Sequence, residues 1–201
     1  MNKFSFLHYS PTGSTREIGK KIALGIFSDL SEIDLTGKKI EGETFGPEDL
    51  LLVVVPVFSG RVPAQAIEKI SSFKGQNTKA VSVVVYGNRA YEDALVELND
   101  TLKEQGFMVI ASGAFIARHS IINEIAAGRP DEQDHDFADK FAALVKAKLA
   151  DGSLEAVKVP GNRPYREVAA GSISPPTADT GISRGKCAIL CPVEAIPKED
   201  P

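Results

Sequence analysis

Leu50-Leu51-Leu52-Val53-Val54-Val55 is an unbroken aliphatic run of six residues, three of them β-branched. A strand with one wet face alternates polar and apolar residues. A strand with no polar position is buried on both faces, as in the middle of a parallel sheet. Ala80–Tyr86 is a second run of this kind. Working outward, Lys3–Tyr9 reads as a short first strand, and Ile33–Leu35 as a weak second one. Phe107–Ala117 contains a fifth. Between them lie helical patterns. Ile18, Ile22 and Ile26 recur every fourth residue within Arg16–Phe27. Pro63 opens a helix with Ala66, Ile67, Ile70 and Phe73 on its apolar side. Tyr91–Gln105 carries Leu95, Leu98 and Leu102 on one stripe and stops at Gly106. Asp131–Leu149 has acids early and lysines late, in keeping with the helix dipole. Strands alternating with helices predict an α/β fold with helices on both faces of a parallel sheet. Ligands of such folds bind beyond the carboxyl ends of the strands, so functional residues are expected after the first, third and fourth strands.

The chain has 201 residues, 43% of them hydrophobic and 25% charged, which excludes wholesale disorder. Its formal net charge of −4 lacks the electrostatic footprint of a nucleic-acid binder. No apolar run approaches the ~18 residues of a membrane span, and the N-terminal residues have no secretory pattern. A cytoplasmic protein with no nucleic-acid or membrane partner is expected. The last 51 residues hold seven of the 12 prolines, a density that prevents regular helix or central strand. The expected division is therefore 1–150 as a core domain and 151–201 as an extended appendage.

The loop after the first strand reads Ser10-Pro11-Thr12-Gly13-Ser14-Thr15. N–H groups at a helix N-terminus suit a phosphate, four hydroxyls in six residues add donors, and Gly13 lets the backbone close tightly. Neither a G-x-x-x-x-G-K-[ST] loop nor a G-x-G-x-x-G fingerprint occurs, which excludes the usual triphosphate and dinucleotide loops. The bland alternative is a capping box of Ser14 with Glu17. After the third strand comes Pro56-Val57-Phe58-Ser59-Gly60-Arg61-Val62-Pro63, and after the fourth Tyr86-Gly87-Asn88-Arg89-Ala90-Tyr91-Glu92-Asp93. Ala117-Arg118-His119-Ser120 and Gly128-Arg129-Pro130-Asp131 follow later.

The Ser/Thr-x-Thr-Gly-x-Thr pattern resembles the flavodoxin phosphate loop. Taken with the later loops, the chain resembles the bacterial and archaeal flavodoxin–ferredoxin fusion family. That resemblance implies a three-layer flavodoxin-like sandwich with strand order 2-1-3-4-5. It implies flavin mononucleotide (FMN) as cofactor, its phosphate held by Ser10, Thr12, Gly13, Ser14 and Thr15. The ring would lie between Phe58, Ser59, Gly60 and Arg61 on one side and Tyr86, Gly87, Asn88 and Tyr91 on the other. Phe58, Tyr86 and Tyr91 are the stacking candidates, Tyr91 foremost, and Gly60 and Gly87 would let the backbone approach the flavin. Arg61, Arg89 and Arg118 are either surface charges only or a source of positive charge near the flavin. His119 is expected to be structural, and no catalytic residue is assigned.

The tail carries Cys187-Ala188-Ile189-Leu190-Cys191-Pro192, which resembles the second half of a ferredoxin run C-x-x-C-x-x-C-x-x-x-C-P. The two earlier ligand positions hold Gly181 and Arg184. Two thiolates do not hold a four-iron cluster, so no iron–sulfur cluster is expected and Cys187 and Cys191 are read as free thiols. Pro160-Gly161-Asn162-Arg163-Pro164-Tyr165 is similar to the family's linker. The leading expectation is an FMN-dependent electron carrier, monomer or dimer, docking transiently with a redox partner such as a ferredoxin or a reductase. An NAD(P)H-dependent quinone or flavin reductase and a flavin-free scaffold are the alternatives.

Overall fold

A computed structural model describes residues 3–37, 40–152, 154–168, 185–191 and 193–196. Two compact units are distinguished, Met1–Arg166 and Glu167–Pro201. The first is built on β1 (Phe4–His8), α1 (Ser14–Ile26), β2 (Ser31–Asp34), β3 (Thr44–Phe45), β4 (Leu50–Pro56), α2 (Ala64–Ile70), β5 (Lys74–Gly75), β6 (Thr78–Tyr86), α3 (Ala94–Glu104), β7 (Phe107–Ile116) and α4 (Glu132–Asp151).

The main sheet runs β2-β1-β4-β6-β7, every neighbouring pair parallel. Counted along the chain these five strands have the expected order 2-1-3-4-5. The two-residue strands β3 and β5 pair separately and had no signal in the sequence pattern. Leu50–Val55 is wholly buried, because both faces of β4 are covered. Fully burying each such side chain contributes roughly 1.5–3 kcal/mol. Ile18, Ile22 and Ile26 of α1, with Ala138 and Val145 of α4, pack on Phe6, Leu52 and Val54 of one face. Ala66 and Ile70 of α2, with Leu95, Leu98 and Leu102 of α3, pack on Leu7, Val53 and Val55 of the other.

Two helix starts differ from the sequence reading. Gly13, at φ 90°, is the N-cap of α1, and Ser14 is already helical, so the Ser14–Glu17 capping box does not form. The hydroxyl of Ser10 takes the capping part by accepting the N–H of Arg16 at 2.9 Å. Pro63 is likewise the N-cap of α2 rather than its first residue. By contrast Asp131 and Asp134 form a full capping box on α4.

Compactness continues past residue 150. Residues 154–166 form no helix or strand, as their prolines dictate, yet they belong to the first unit. The N–H of Val157 donates to the carbonyl of Val109 on the edge strand β7 at 3.0 Å, and Val157 and Val159 pack on the α2–α3 core. An edge strand with unpaired backbone groups invites aggregation; here the chain's own continuation lies along it. In the second unit the described residues include one short helix, α5 (Lys186–Leu190). Gly181, Arg184 and Pro192, which bear on the ferredoxin-like pattern, lie outside the described residues.

Candidate functional site

The loops that follow β1, β4, β6 and β7 meet at the carboxyl end of the sheet. They line a narrow cleft of about 100 Å³ whose walls include Thr12, Ser14, Thr15, Phe58, Tyr86 and Gly87. A second hollow of about 410 Å³ adjoins it, sharing Thr12, Ser14, Arg118 and Ser120 and adding Gly13 and Arg129.

In the β1–α1 loop the N–H of Arg16 is taken by Ser10 Oγ and that of Glu17 by the carbonyl of Gly13. The first-turn N–H groups of Ser14 and Thr15 have no carbonyl behind them in the helix. The hydroxyls of Thr12 and Ser14 lie 3.5 Å apart at the surface. A Cβ on Gly13 would meet nothing within 4 Å, so the space above the loop is open. This donor set, backbone N–H groups and neutral hydroxyls around an open concavity, fits a phosphate. Ser10 serves the loop itself, since its own N–H donates to Thr36 Oγ1 at 2.8 Å.

The wall behind the loop is charged, which the sequence pattern did not show. His8, almost fully buried at the end of β1, has Nε2 3.0 Å from Glu32 Oε1. Burial pushes the imidazole below its ordinary range, with Asp34 and Glu32 opposing the shift. Glu32 also accepts from Arg16 Nε at 2.5 Å, so the first turn of α1 is tied to β2.

The ring-side loops are less open than expected. Phe58 is 46% exposed and Tyr86 lines the cleft, whereas Tyr91 is not among the lining residues. Tyr91 packs on the core and meets Tyr86 edge-on at 5.6 Å. Phe58 and Tyr86 thus line the cleft, and Tyr91 stands behind Tyr86. Ser59, at φ 52°, and Gly60, at φ 80°, form the tip of a turn closed by two bonds between Phe58 and Arg61. Ser59 and Asn88 are exposed.

The glycines at 60 and 87 face protein, not open space. A side chain at Gly60 would strike Glu92 and Arg166, and one at Gly87 would come within 2.7 Å of the His119 ring. The close approach that glycine permits is used by the chain itself. Three of the nearby arginines are also committed. Arg61 donates to Glu97 through Nε at 2.8 Å and Nη2 at 2.6 Å and lies over the ring of Tyr165 at 4.8 Å. Arg89 pairs with Glu92, and Arg129 with Asp134. Arg118 is exposed, and no carboxylate pairs with it among the described residues. His119 also lines the cleft, and its Nδ1 accepts the N–H groups of Ile121 at 3.2 Å and Ile122 at 3.1 Å, which shapes the loop after β7.

Sequence reasoning missed the part played by α3 and residues 161–166. Asp93 accepts from Asn162 N at 2.8 Å and Arg166 N at 2.7 Å. Asp100 accepts from Arg163 Nε at 2.7 Å and the Tyr165 hydroxyl at 2.6 Å. The carboxyl of Asp93 is held below its ordinary range by the N–H groups of Asn162 and Arg166, and that of Asp100 by Arg163. A signal was available: Asp93, Glu97 and Asp100 stand at helical spacing on one face, and residues 161–166 supply complementary donors.

In the second unit Cys187 is exposed and Cys191 partly so, both as free thiols. Backbone N–H groups of Val193 and Ala195 push the Cys191 thiol below its ordinary value. No group of three or more metal-ligating side chains occurs among the described residues. Nor is any described helix long and apolar enough to cross a membrane.

The chain is similar in fold to a Streptococcus pneumonia TIGR4 flavodoxin, with a TM-score of 0.52 and 14% identity, covering 72% of this chain and 98% of that one. A short-chain flavodoxin associated with a bacterial microcompartment gives a TM-score of 0.50 at 15% identity, covering 73% and 99%. Rubredoxin oxygen:oxidoreductase from Desulfovibrio gigas gives 0.51 at 15%, with 75% of this chain matched to 37% of that one. The architecture is thus a flavodoxin-like α/β fold. No protein-family model matches the chain. No curated protein matches it.

Proposed function

We propose that this chain binds FMN and serves as an electron-transfer protein. The observation that carries the reading is the convergence of an open, hydroxyl-rich phosphate loop and the aromatics Phe58 and Tyr86 on one cleft at the carboxyl end of the sheet. The flavodoxin-like fold supports it. FMN, when bound, supplies one-electron redox chemistry.

The chain's own residues do the rest. The N–H groups of Ser14 and Thr15 and the hydroxyls of Thr12 and Ser14 bind the phosphate. Phe58 and Tyr86 flank the ring and exclude water from its faces. Arg118, which no carboxylate neutralises among the described residues, supplies positive charge beside the loop. The partner is a redox protein that docks weakly on the cleft's rim.

The test is an anaerobic absorbance spectrum of the purified protein, with the released flavin identified after denaturation. The expected outcome is near-stoichiometric FMN without the broad absorbance of an iron–sulfur cluster, and no bleaching by NADH or NADPH. A colourless protein that also fails to bind added FMN overturns the reading. Rapid bleaching by a nicotinamide cofactor replaces it with a reductase.

A further inference from the structure

We propose that residues 154–166 are a positioning strap for the flavin site, fixing the two loops between which the ring would lie. The proposal rests on the FMN reading for its ligand, but the strap itself is visible in the chain's own bonds.

The strap follows a defined course. It leaves α4, runs beside the edge strand β7 through Val157 N to Val109 O, and then crosses α3. The acids along one face of α3 receive it. Asp93, at the N-cap, accepts the backbone of Asn162 and Arg166. Asp100 takes the guanidinium of Arg163 and the hydroxyl of Tyr165. These bonds deliver Arg166 to the tip of the β4–α2 loop.

There Arg166 joins both ring-side loops at once. Its carbonyl accepts Arg61 Nη1 at 2.8 Å, on the loop after β4. Its guanidinium pairs with Glu92, on the loop after β6. The two loops also touch directly, because the N–H of Asp93 donates to the carbonyl of Gly60 at 3.1 Å. Ser59, Gly60 and Glu92 all have positive φ. Non-glycine residues hold such conformations only when their surroundings enforce them. Arg166, held by Asp93 on one side and bonded to both loops on the other, is that enforcement. Binding that demands a preformed site loses affinity when the site must first be ordered.

The test uses the full chain. Asp93→Asn with Asp100→Asn weakens the strap's seat, and Arg166→Ala removes its contact with Glu92 alone. The first readout needs no flavin: amide hydrogen exchange at Phe58, Arg61 and Asp93, whose N–H groups close the two loops. Exchange there is expected to rise at least tenfold in both variants, with β4 and β6 still protected. The second readout is FMN affinity by fluorescence quenching, expected to weaken at least tenfold, and Arg166→Lys is expected to restore most of it. Should the double variant lose protection throughout the sheet, Arg166→Ala decides. Unchanged exchange at Phe58, Arg61 and Asp93 while 154–166 becomes unprotected overturns the proposal, as does FMN affinity within twofold of the parent. A parent chain that binds no FMN overturns the function proposed above; the exchange readout still decides whether the strap orders the loops.

Discussion

The β1–α1 loop and the pair of loops after β4 and β6 stand at the same end of the sheet but are held in opposite ways. At Ser10–Thr15 the hydroxyls of Thr12 and Ser14 and the first N–H groups of α1 face open space. At 58–61 and 88–93 the charged side chains of Arg61, Glu92 and Asp93 are bonded within the chain, to Glu97, Arg166 and Asn162. The first region leaves hydroxyls at the surface and is anchored from behind by Thr36 and Glu32, 16 to 26 positions away. The second is shaped by residues 35 to 105 positions away. Binding capacity and binding geometry are therefore supplied by different parts of the chain.

The largest effect expected from this contrast lies on the strapped side. Glu97→Ala leaves the guanidinium of Arg61 and the N–H of Val62 without their carboxylate. Breaking a mostly buried pair of this kind costs roughly 3 kcal/mol. Urea denaturation of the variant measures it, and a loss below about 1 kcal/mol would show that the clamp is a surface ion pair of ordinary weight.

A smaller effect follows from pH. Asp93 and Asp100 titrate below the ordinary aspartate value when folded. A lowered folded pKa adds stability that is present above the unfolded value, about 3.9, and is lost as pH falls through the folded values. The strap should therefore hold at neutral pH and loosen below about pH 4. With no tryptophan in the chain, tyrosine fluorescence can follow Tyr165 as Asp100 releases it. A signal unchanged down to pH 2 would mean that packing of Val157 and Val159, not the carboxylates, holds the segment.

The smallest effect on stability belongs to the open loop. Thr12→Ala with Ser14→Ala removes no bond that the fold needs, so unfolding should shift by less than about 0.5 kcal/mol. FMN affinity should nonetheless fall by at least about tenfold, since hydrogen bonds to a charged group contribute roughly 1.5–3 kcal/mol each. Loss of stability without loss of affinity would reverse the comparison between the two regions.

Much of the frame was legible because its causes are local. Leu50–Val55 has no polar position, as expected of a strand buried on both faces. Gly106 ends α3, and the acids at 131–134 start α4. The hydroxyl-rich character of the β1–α1 loop is visible in six consecutive residues. Other residues take their environment from elsewhere in the chain. Ser14 yielded the capping part to Ser10 because Gly13 adopts the left-handed conformation. Tyr91 turned onto the core and Tyr86. Gly60 and Gly87, suited to close approach, were approached by Arg166 and His119.

What this sequence determined by itself was the periodicity of its elements, the order of strand and helix, and the chemical character of the β1–α1 loop. Those depend on residues within a few positions of one another, where propensity, patterning and capping act. Only the tertiary structure decided which arginines are neutralised, which aromatics line the cleft, and that a segment beyond residue 150 belongs to the first compact unit. The carboxylates of α3 and the donors at 161–166 are separated by more than sixty residues. Their pairing requires the sheet to close and α3 to lie beside β7, and no local pattern contains that information.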